Sequence, residues 1–310
     1  MTELRKDYFL ERWVIIAPGR SKRPVELVKK DYSSKTCLFC PGNEHLTPKE
    51  IGRIGGKKWQ MRWFSNKFPA VEEAGNPSVK KKNQLAHAAA YGSHEIIAET
   101  PSSKKQLWDL KNTEIITLLK VFNNRISELE KKKHVKYVVV AKNHGREGGA
   151  SLKHSHTQVI SMNILPPVIK EEVSAYANGK CNYCKVISIE KKSARKCFEN
   201  KSIIAFAPYA SRFNYELWIL PKKHHKKLSD FSEQELKDLS AILLKALKKL
   251  KKINAPYNYY IHYSPANKNM HFHIELTPRL ATWAGIELSS GITVNSVSPE
   301  KAARFYRGKQ

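Results

Sequence analysis

Two stretches of the chain place apolar residues three and four apart while the positions between them are mostly polar. In the first, Ile115, Leu118, Leu119, Phe122, Ile126 and Leu129 fall on one helical face; in the second, Leu236, Leu239, Leu243, Leu247 and Leu250 do so. Ser232 with Glu235 three residues on forms a capping box at the predicted start of the second helix. After each helix comes an apolar run of strand length, YVVVA at 137–141 and YNYYIH at 257–262, then a polar loop and a strand carrying H-x-H. Before each helix lies a strand pair, ending in HEIIAE at 94–99 and YELWIL at 215–220. This repeated order predicts an α+β fold of two similar units, each a mainly antiparallel sheet packed by one long helix. Pro166 and Pro167 mark the break, giving an N-terminal unit over 1–167 and a C-terminal unit over 168–310.

The polar positions carry the chemistry. In the strand HSHTQVI at 154–160, alternation puts His154, His156 and Gln158 on one side, a row of nitrogen and amide groups rather than a hydrophobic face. The five cysteines are Cys37, Cys40, Cys181, Cys184 and Cys197, and the N-terminus MTELRKDYFLERW is charged rather than signal-like. An odd count in such a chain argues against a disulfide framework, so the two C-x-x-C pairs read as metal ligands. Zinc takes two thiolates and two further nitrogen or sulfur donors, which distant strands can supply. In PKKHHKKL, His224 or His225 offers a fourth donor, and Cys181, Cys184, His224 and His271 make a complete set. Cys37, Cys40 and His154 make a set of three, with water, His94 or His144 left to fill the fourth position.

His156 then lies two residues from a metal ligand. A neutral imidazole attacks phosphorus well when one ring nitrogen is hydrogen-bonded and the other presents its lone pair. The Gln158 amide can donate to a phosphate oxygen as charge accumulates there. The loop NHGREGGAS at 143–151 is glycine-rich and can bring backbone N–H groups close to a phosphate.

Charge narrows the partners. With 55 Lys and Arg against 28 Asp and Glu, the net charge of +27 favours anions such as phosphates and nucleotides, although runs such as KKLKK also read as solvated faces. Nucleic acid is disfavoured, because no recognition helix or short-spaced finger is evident and HSHTQ would have no role. No apolar run approaches a membrane span, and the chain reads as a soluble cytoplasmic protein.

Taken in order, RWVIIAPGRSKRP, CLFCPGNE, FSNKFPAV, NHGREGGAS, HSHTQ, APYASRFNYELWILPKKH, HFHIELTPR and AGIELSSGITVN resemble the galactose-1-phosphate uridylyltransferase family, a branch of the histidine-triad superfamily. The resemblance spans nearly the whole chain. It implies duplicated histidine-triad-like domains, bound zinc, and a homodimer whose active site is completed by the partner subunit. It also implies a nucleotide sugar and a sugar 1-phosphate as substrates. By the same resemblance His156 is the nucleophile that becomes nucleotidylated, His154 a zinc ligand beside it, and Gln158 the amide holding the transferred phosphoryl group. Arg20 and Arg23 match positions near the nucleotide phosphates, Asn66 and Phe68 the nucleoside pocket, Asn143 and Ser151 substrate-phosphate contacts, and Glu287 the carboxylate that grips sugar hydroxyls. Two departures stand out: Ser155 replaces the proline of the best-known uridylyltransferases, as in relatives that include ADP-glucose phosphorylase, and Ser103 stands where the family often has a histidine. The expected reaction is double displacement, with UDP-glucose and galactose 1-phosphate as first reading and an ADP-glucose phosphorylase as the alternative.

Overall fold

The computed structural model describes residues 3–16, 36–177 and 180–309; Arg20 and Arg23 lie outside them. The chain begins with β1 (Glu3–Lys6), β2 (Trp13–Ile16), β3 (Glu50–Ile54), β4 (Met61–Ser65), the hairpin β5 (Lys80–Lys82) and β6 (Leu85–His87), and β7 (His94–Ala98). Helix α1 (Asn112–Glu130), β8 (Tyr137–His144) and β9 (His156–Met162) complete the first run. Next come α2 (Pro167–Ser174), β10 (Tyr176–Ala177), β11 (Lys180–Cys181), α3 (Asn182–Glu190), β12 (Lys196–Glu199), β13 (Ile203–Phe206) and β14 (Leu217–Pro221). Helix α4 (Glu233–Lys252), β15 (Tyr257–His262), β16 (His273–Pro278), α5 (Gly285–Ser290), β17 (Thr293–Asn295) and α6 (Pro299–Arg307) follow.

Both helical patterns form where periodicity put them. All six apolar positions of the first lie buried on α1 and all five leucines of the second on α4, each buried leucine contributing roughly 2 kcal/mol of transfer free energy. The capping box is present: Ser232 Oγ accepts from the Glu235 N–H at 3.3 Å, and Glu235 Oε2 accepts from the Ser232 N–H at 2.9 Å. The helices pack on one another and on a single ten-stranded sheet, ordered β12-β13-β14-β16-β15-β8-β9-β7-β4-β3. Every pairing in that sheet is antiparallel. The two similar units join edge to edge through β8 and β15, from Tyr257 opposite His144 to Ile261 opposite Val140. A second, three-stranded sheet pairs β17 parallel to β2, tying the end of the chain to its start. Among the described residues no helix is long and apolar enough to cross a membrane.

Register decides which side chains face the helices. Ile97, Val138, Val140, Val159, Tyr259, Ile261, Ile274 and Leu276 alternate toward α1 and α4 and share one core with their leucines. The intervening positions, among them His94, Ala141, Asn143, His156, Gln158, Tyr260, His262, His273 and Glu275, turn to the opposite face. The H-x-H strands are two residues shorter than an unbroken row requires. β9 begins at His156 and β16 at His273, so His154 and His271 sit in the approach to each strand. The reason is local: the carbonyls of His154 and His271 accept hydrogen bonds from the Nδ1 of His156 and His273, and are not spent on a ladder.

Candidate active site and metal centres

His156 is buried at the start of β9, between β8 and β7. Its Nδ1–H donates to the His154 carbonyl at 2.7 Å, which leaves the Nε2 lone pair free. Burial, reinforced by the nearby Lys142 ammonium, pulls its pKa down to about 4, so the ring is neutral at pH 7. Gln158 follows on the same face, and His94 orients it. The Ala70 N–H donates to His94 Nδ1 at 3.0 Å, which puts the His94 proton on Nε2, and Nε2–H donates to Gln158 Oε1 at 2.9 Å. The Gln158 NH₂ group therefore remains as a donor on the face of His156.

Behind His156, on the side of α1, lies a buried ionic cluster. Lys142 Nζ donates to Glu99 Oε2 at 2.6 Å, to Ser155 Oγ at 2.9 Å and to the His156 carbonyl at 3.1 Å. Ser155 and Thr157 donate their hydroxyls to the two Glu99 oxygens at 2.6 and 2.5 Å. Burial alone would push the Glu99 carboxyl up, but Lys142 and the two hydroxyls hold it below the usual carboxylate range. Ser155, the departure from the family's proline, is thus a member of the cluster that fixes the backbone of His156.

Cys37, Cys40 and His154 converge, with His154 Nδ1 3.2 Å from Cys37 Sγ and 3.7 Å from Cys40 Sγ. His154 Nε2–H donates to the Thr100 carbonyl at 2.7 Å, so the ring aims its lone pair at the sulfurs. Among the described residues no fourth His, Cys, Asp or Glu joins them. The two histidines weighed for that place are committed elsewhere: His94 to Gln158, and His144 to Gln106 Oε1 at 3.1 Å, with its ring stacked on Tyr257.

The second group has four donors, Cys181, Cys184, His224 and His271. His271 Nδ1 lies 3.7 and 3.5 Å from the two sulfurs and His224 Nδ1 3.7 Å from Cys184 Sγ. Pro221 O and Asn269 Oδ1 accept from the far nitrogens of His271 and His224 at 2.9 and 2.7 Å, the outer-shell bond that metal-ligating histidines make. His225, the alternative, turns instead to Glu235 at 3.1 Å. Burial and the adjacent Cys181 push the Cys184 thiol up to about 12, a pair of sulfurs that needs a positive charge beside it. Two thiolates and two imidazoles, each imidazole oriented from behind, fit a tetrahedral ion.

A third group, unseen in the sequence, gathers Glu172, His262, His273 and Glu275, all buried. His262 Nδ1 lies 3.0 and 2.9 Å from the two Glu172 oxygens, and His273 Nε2 lies 3.6 Å from Glu275 Oε1, so each carboxylate has an imidazole beside it. His273 and Glu275 occupy the places that His156 and Gln158 hold in the first unit. Against the pull of burial, Glu275 and Glu172 hold His273 above the usual imidazole value. A buried carboxylate replaces the amide, and this imidazole holds its proton more tightly than that of His156.

The remaining sequence candidates are dispersed. Asn66 lies against the His94 ring at 3.1 Å, and Phe68 is 82% exposed. Asn143 shares the face of His156, its Oδ1 accepting from Asn258 Nδ2 at 2.8 Å, and Ser151 is exposed in the loop before β9. Glu287 stands apart, in a cavity of about 360 Å³ with Arg12, Arg212, Tyr260, His262 and Trp283. Its oxygens accept from the backbone N–H groups of Ala284 and Val294 at 2.8 and 3.2 Å. His94, Glu99 and Lys142 were not given these roles from sequence; only the position of Lys142 and Glu99 in otherwise apolar strands hinted at them.

Residues 1–166 match the family described as galactose-1-phosphate uridyl transferase, N-terminal domain, and residues 180–285 match scavenger mRNA decapping enzyme C-term binding. An ADP-glucose phosphorylase of Arabidopsis thaliana is 29% identical over 98% of this chain and 92% of its own. A galactose-1-phosphate uridylyltransferase of Thermotoga maritima is 29% identical over 99% of this chain and 98% of its own. In structure, the Arabidopsis thaliana ADP-glucose phosphorylase with bound ADP-glucose superposes with a TM-score of 0.85 at 29% identity, covering 100% of both chains. A uridylyltransferase superposes with a TM-score of 0.77 at 27% identity, covering 99% of this chain and 98% of the other. With residues 1–166, more than half of its length, matched, the chain belongs to the galactose-1-phosphate uridyl transferase family.

Proposed function

We propose that the protein transfers a nucleotidyl group by double displacement through His156, with UDP-glucose as donor and galactose 1-phosphate as acceptor. The observation that carries this reading is the ring of His156, neutral, with Nδ1–H on the His154 carbonyl and Nε2 unencumbered. Nε2 gives its lone pair to the α-phosphorus, and the P–O bond to the sugar 1-phosphate breaks with its electron pair. The His154 carbonyl supports the charge that the nucleotidylated imidazole acquires. The amide of Gln158, held by His94, donates to the phosphoryl oxygens. A phosphate oxygen of the second substrate then attacks the same phosphorus, the P–N bond breaks, and the electron pair returns to Nε2. Two inversions leave the configuration at phosphorus retained.

Zinc is the ion whose donor preference fits Cys181, Cys184, His224 and His271, and the Cys37, Cys40, His154 set; bound there it would cross-link distant segments, next to β9 in the second case. The place of Glu287 away from His156 in the same chain supports a homodimer in which the other subunit brings the sugar contact. A second reading, an ADP-glucose phosphorylase with inorganic phosphate as acceptor, is favoured by Ser155 and by the full-length likeness to the Arabidopsis thaliana enzyme.

The experiment incubates the protein with UDP-glucose or ADP-glucose, measures released glucose 1-phosphate and the mass added to the chain, and chases with galactose 1-phosphate or phosphate. One acid-labile nucleotidyl group on wild type and none on His156→Ala is expected. An adduct that survives in His156→Ala overturns the assignment, and the chase decides between the two acceptors.

A further inference from the structure

At the β12 edge of the sheet, six strands from β9, the ends of α4 and α6 enclose a cavity of about 470 Å³. Lys249 and Lys252 reach it from α4, Lys301 and Arg304 from α6, and Lys309 from just beyond; among the described residues no acidic side chain lines it. The nearby acids are engaged elsewhere, Glu300 with Arg5 and Arg195, Glu216 with Arg212, and Glu199 with Lys196 and Lys222. Lys251, on another side of α4, has its own partner in Asp109.

Helix electrostatics explains only part of this. Cations in the last turn of α4 suit its dipole, worth about 0.3–1 kcal/mol each. Lys301 does not, because it sits in the first turn of α6, where the dipole disfavours a cation. Lys249 is half-buried, its Nζ so near Gly308 that a Cβ there would meet it at 2.9 Å. Cations from three segments are thus held in one concavity against their mutual repulsion.

The apolar wall is equally specific. The rings of Tyr215 and Phe305 meet at 4.7 Å and both line the cavity. Tyr215 has φ +61, an uncommon conformation for a bulky residue, and is held there by the Tyr306 hydroxyl, which donates to its carbonyl at 2.7 Å. An aromatic wall beside convergent cations is the chemistry that receives a base and its phosphates. The site is a half-open concavity within the size range of small-ligand pockets, rather than a stripe that a strand could follow.

We propose that this cavity binds a nucleoside polyphosphate, with phosphates among Lys249, Lys252, Lys301 and Arg304 and the base against Phe305 and Tyr215, as a second nucleotide site separate from His156.

The test uses the full chain, with ATP and inorganic tripolyphosphate as calorimetric probes and 8-azido-ATP to locate the site by peptide mapping. Expected are labelling of the 300–309 segment that tripolyphosphate suppresses, and roughly thirtyfold weaker binding of both probes at this site in Lys249→Gln/Arg304→Gln, from two phosphate contacts of about 1 kcal/mol each. Phe305→Leu should weaken ATP and spare tripolyphosphate. All these side chains are exposed or half-buried, so melting and glucose 1-phosphate release should stay at wild-type values, which also separates this site from the His156 reaction. Unchanged affinity in the double variant overturns the proposal. So does labelling confined to the His156 face, or binding of a single-stranded RNA 12-mer here with none of ATP.

Discussion

Replacing Lys142 by Met tests the cluster behind the nucleophile. The side chains of Lys142 and Glu99 are 1% and 0% exposed and their charged atoms are 2.6 Å apart. Lys142→Met keeps the volume but leaves a buried carboxylate that retains only the Ser155 and Thr157 hydroxyls, and it strips the His156 carbonyl of a donor. Breaking one side of a buried pair costs about 3–5 kcal/mol, and the two surviving hydroxyl bonds set the expectation at about 3. At an unfolding entropy of about 2.1 cal/mol/K per residue, a chain of this length loses roughly 5 °C in Tm. Glu99→Gln removes the orphaned charge, so the double variant should recover more than half of the loss. Circular-dichroism melts of the two single variants and the double variant give the coupling directly. Nucleotidyl-adduct formation should fall in Lys142→Met beyond the change in folded fraction, because the His156 backbone has lost its anchor. A Tm within about 1 °C of wild type, or single-variant losses that simply add, refutes the reasoning.

Two further outcomes follow from the same geometry. Titration with a chromophoric chelator should remove metal first from the three-donor set at Cys37, Cys40 and His154, and Cys184→Ala should cost more stability than Cys40→Ala; equal resistance of the two sites would sink this. Gln158→Glu copies the His273–Glu275 arrangement onto the first unit and should slow adduct formation by about 10²–10³ with the melt unchanged, whereas a wild-type rate would remove the amide from the mechanism.

Periodicity in the chain was enough to determine both long helices and the strands that flank them, because an amphipathic face has to be buried whatever packs against it. Residue chemistry picked out the cysteines and histidines that come together in two clusters, since few side chains bind a soft ion. Other features depended on contacts between residues distant in sequence. Glu99 and Lys142 are 43 positions apart, His94 and Gln158 are 64, and Glu172 and His262 are 90. Each pair meets only because antiparallel registers and helix packing bring those positions to one place. The same registers joined the two units through β8 and β15 into one sheet, with both H-x-H segments on the side turned away from α1 and α4. They also gave one half an amide beside an imidazole whose pKa is pulled down, and the other a carboxylate beside an imidazole whose pKa is held up. HSHTQ and HFHIE look alike as strings, and what separates a nucleophile from a buried ionic cluster is the field that Arg212, Glu172 and His262 bring from elsewhere in the chain.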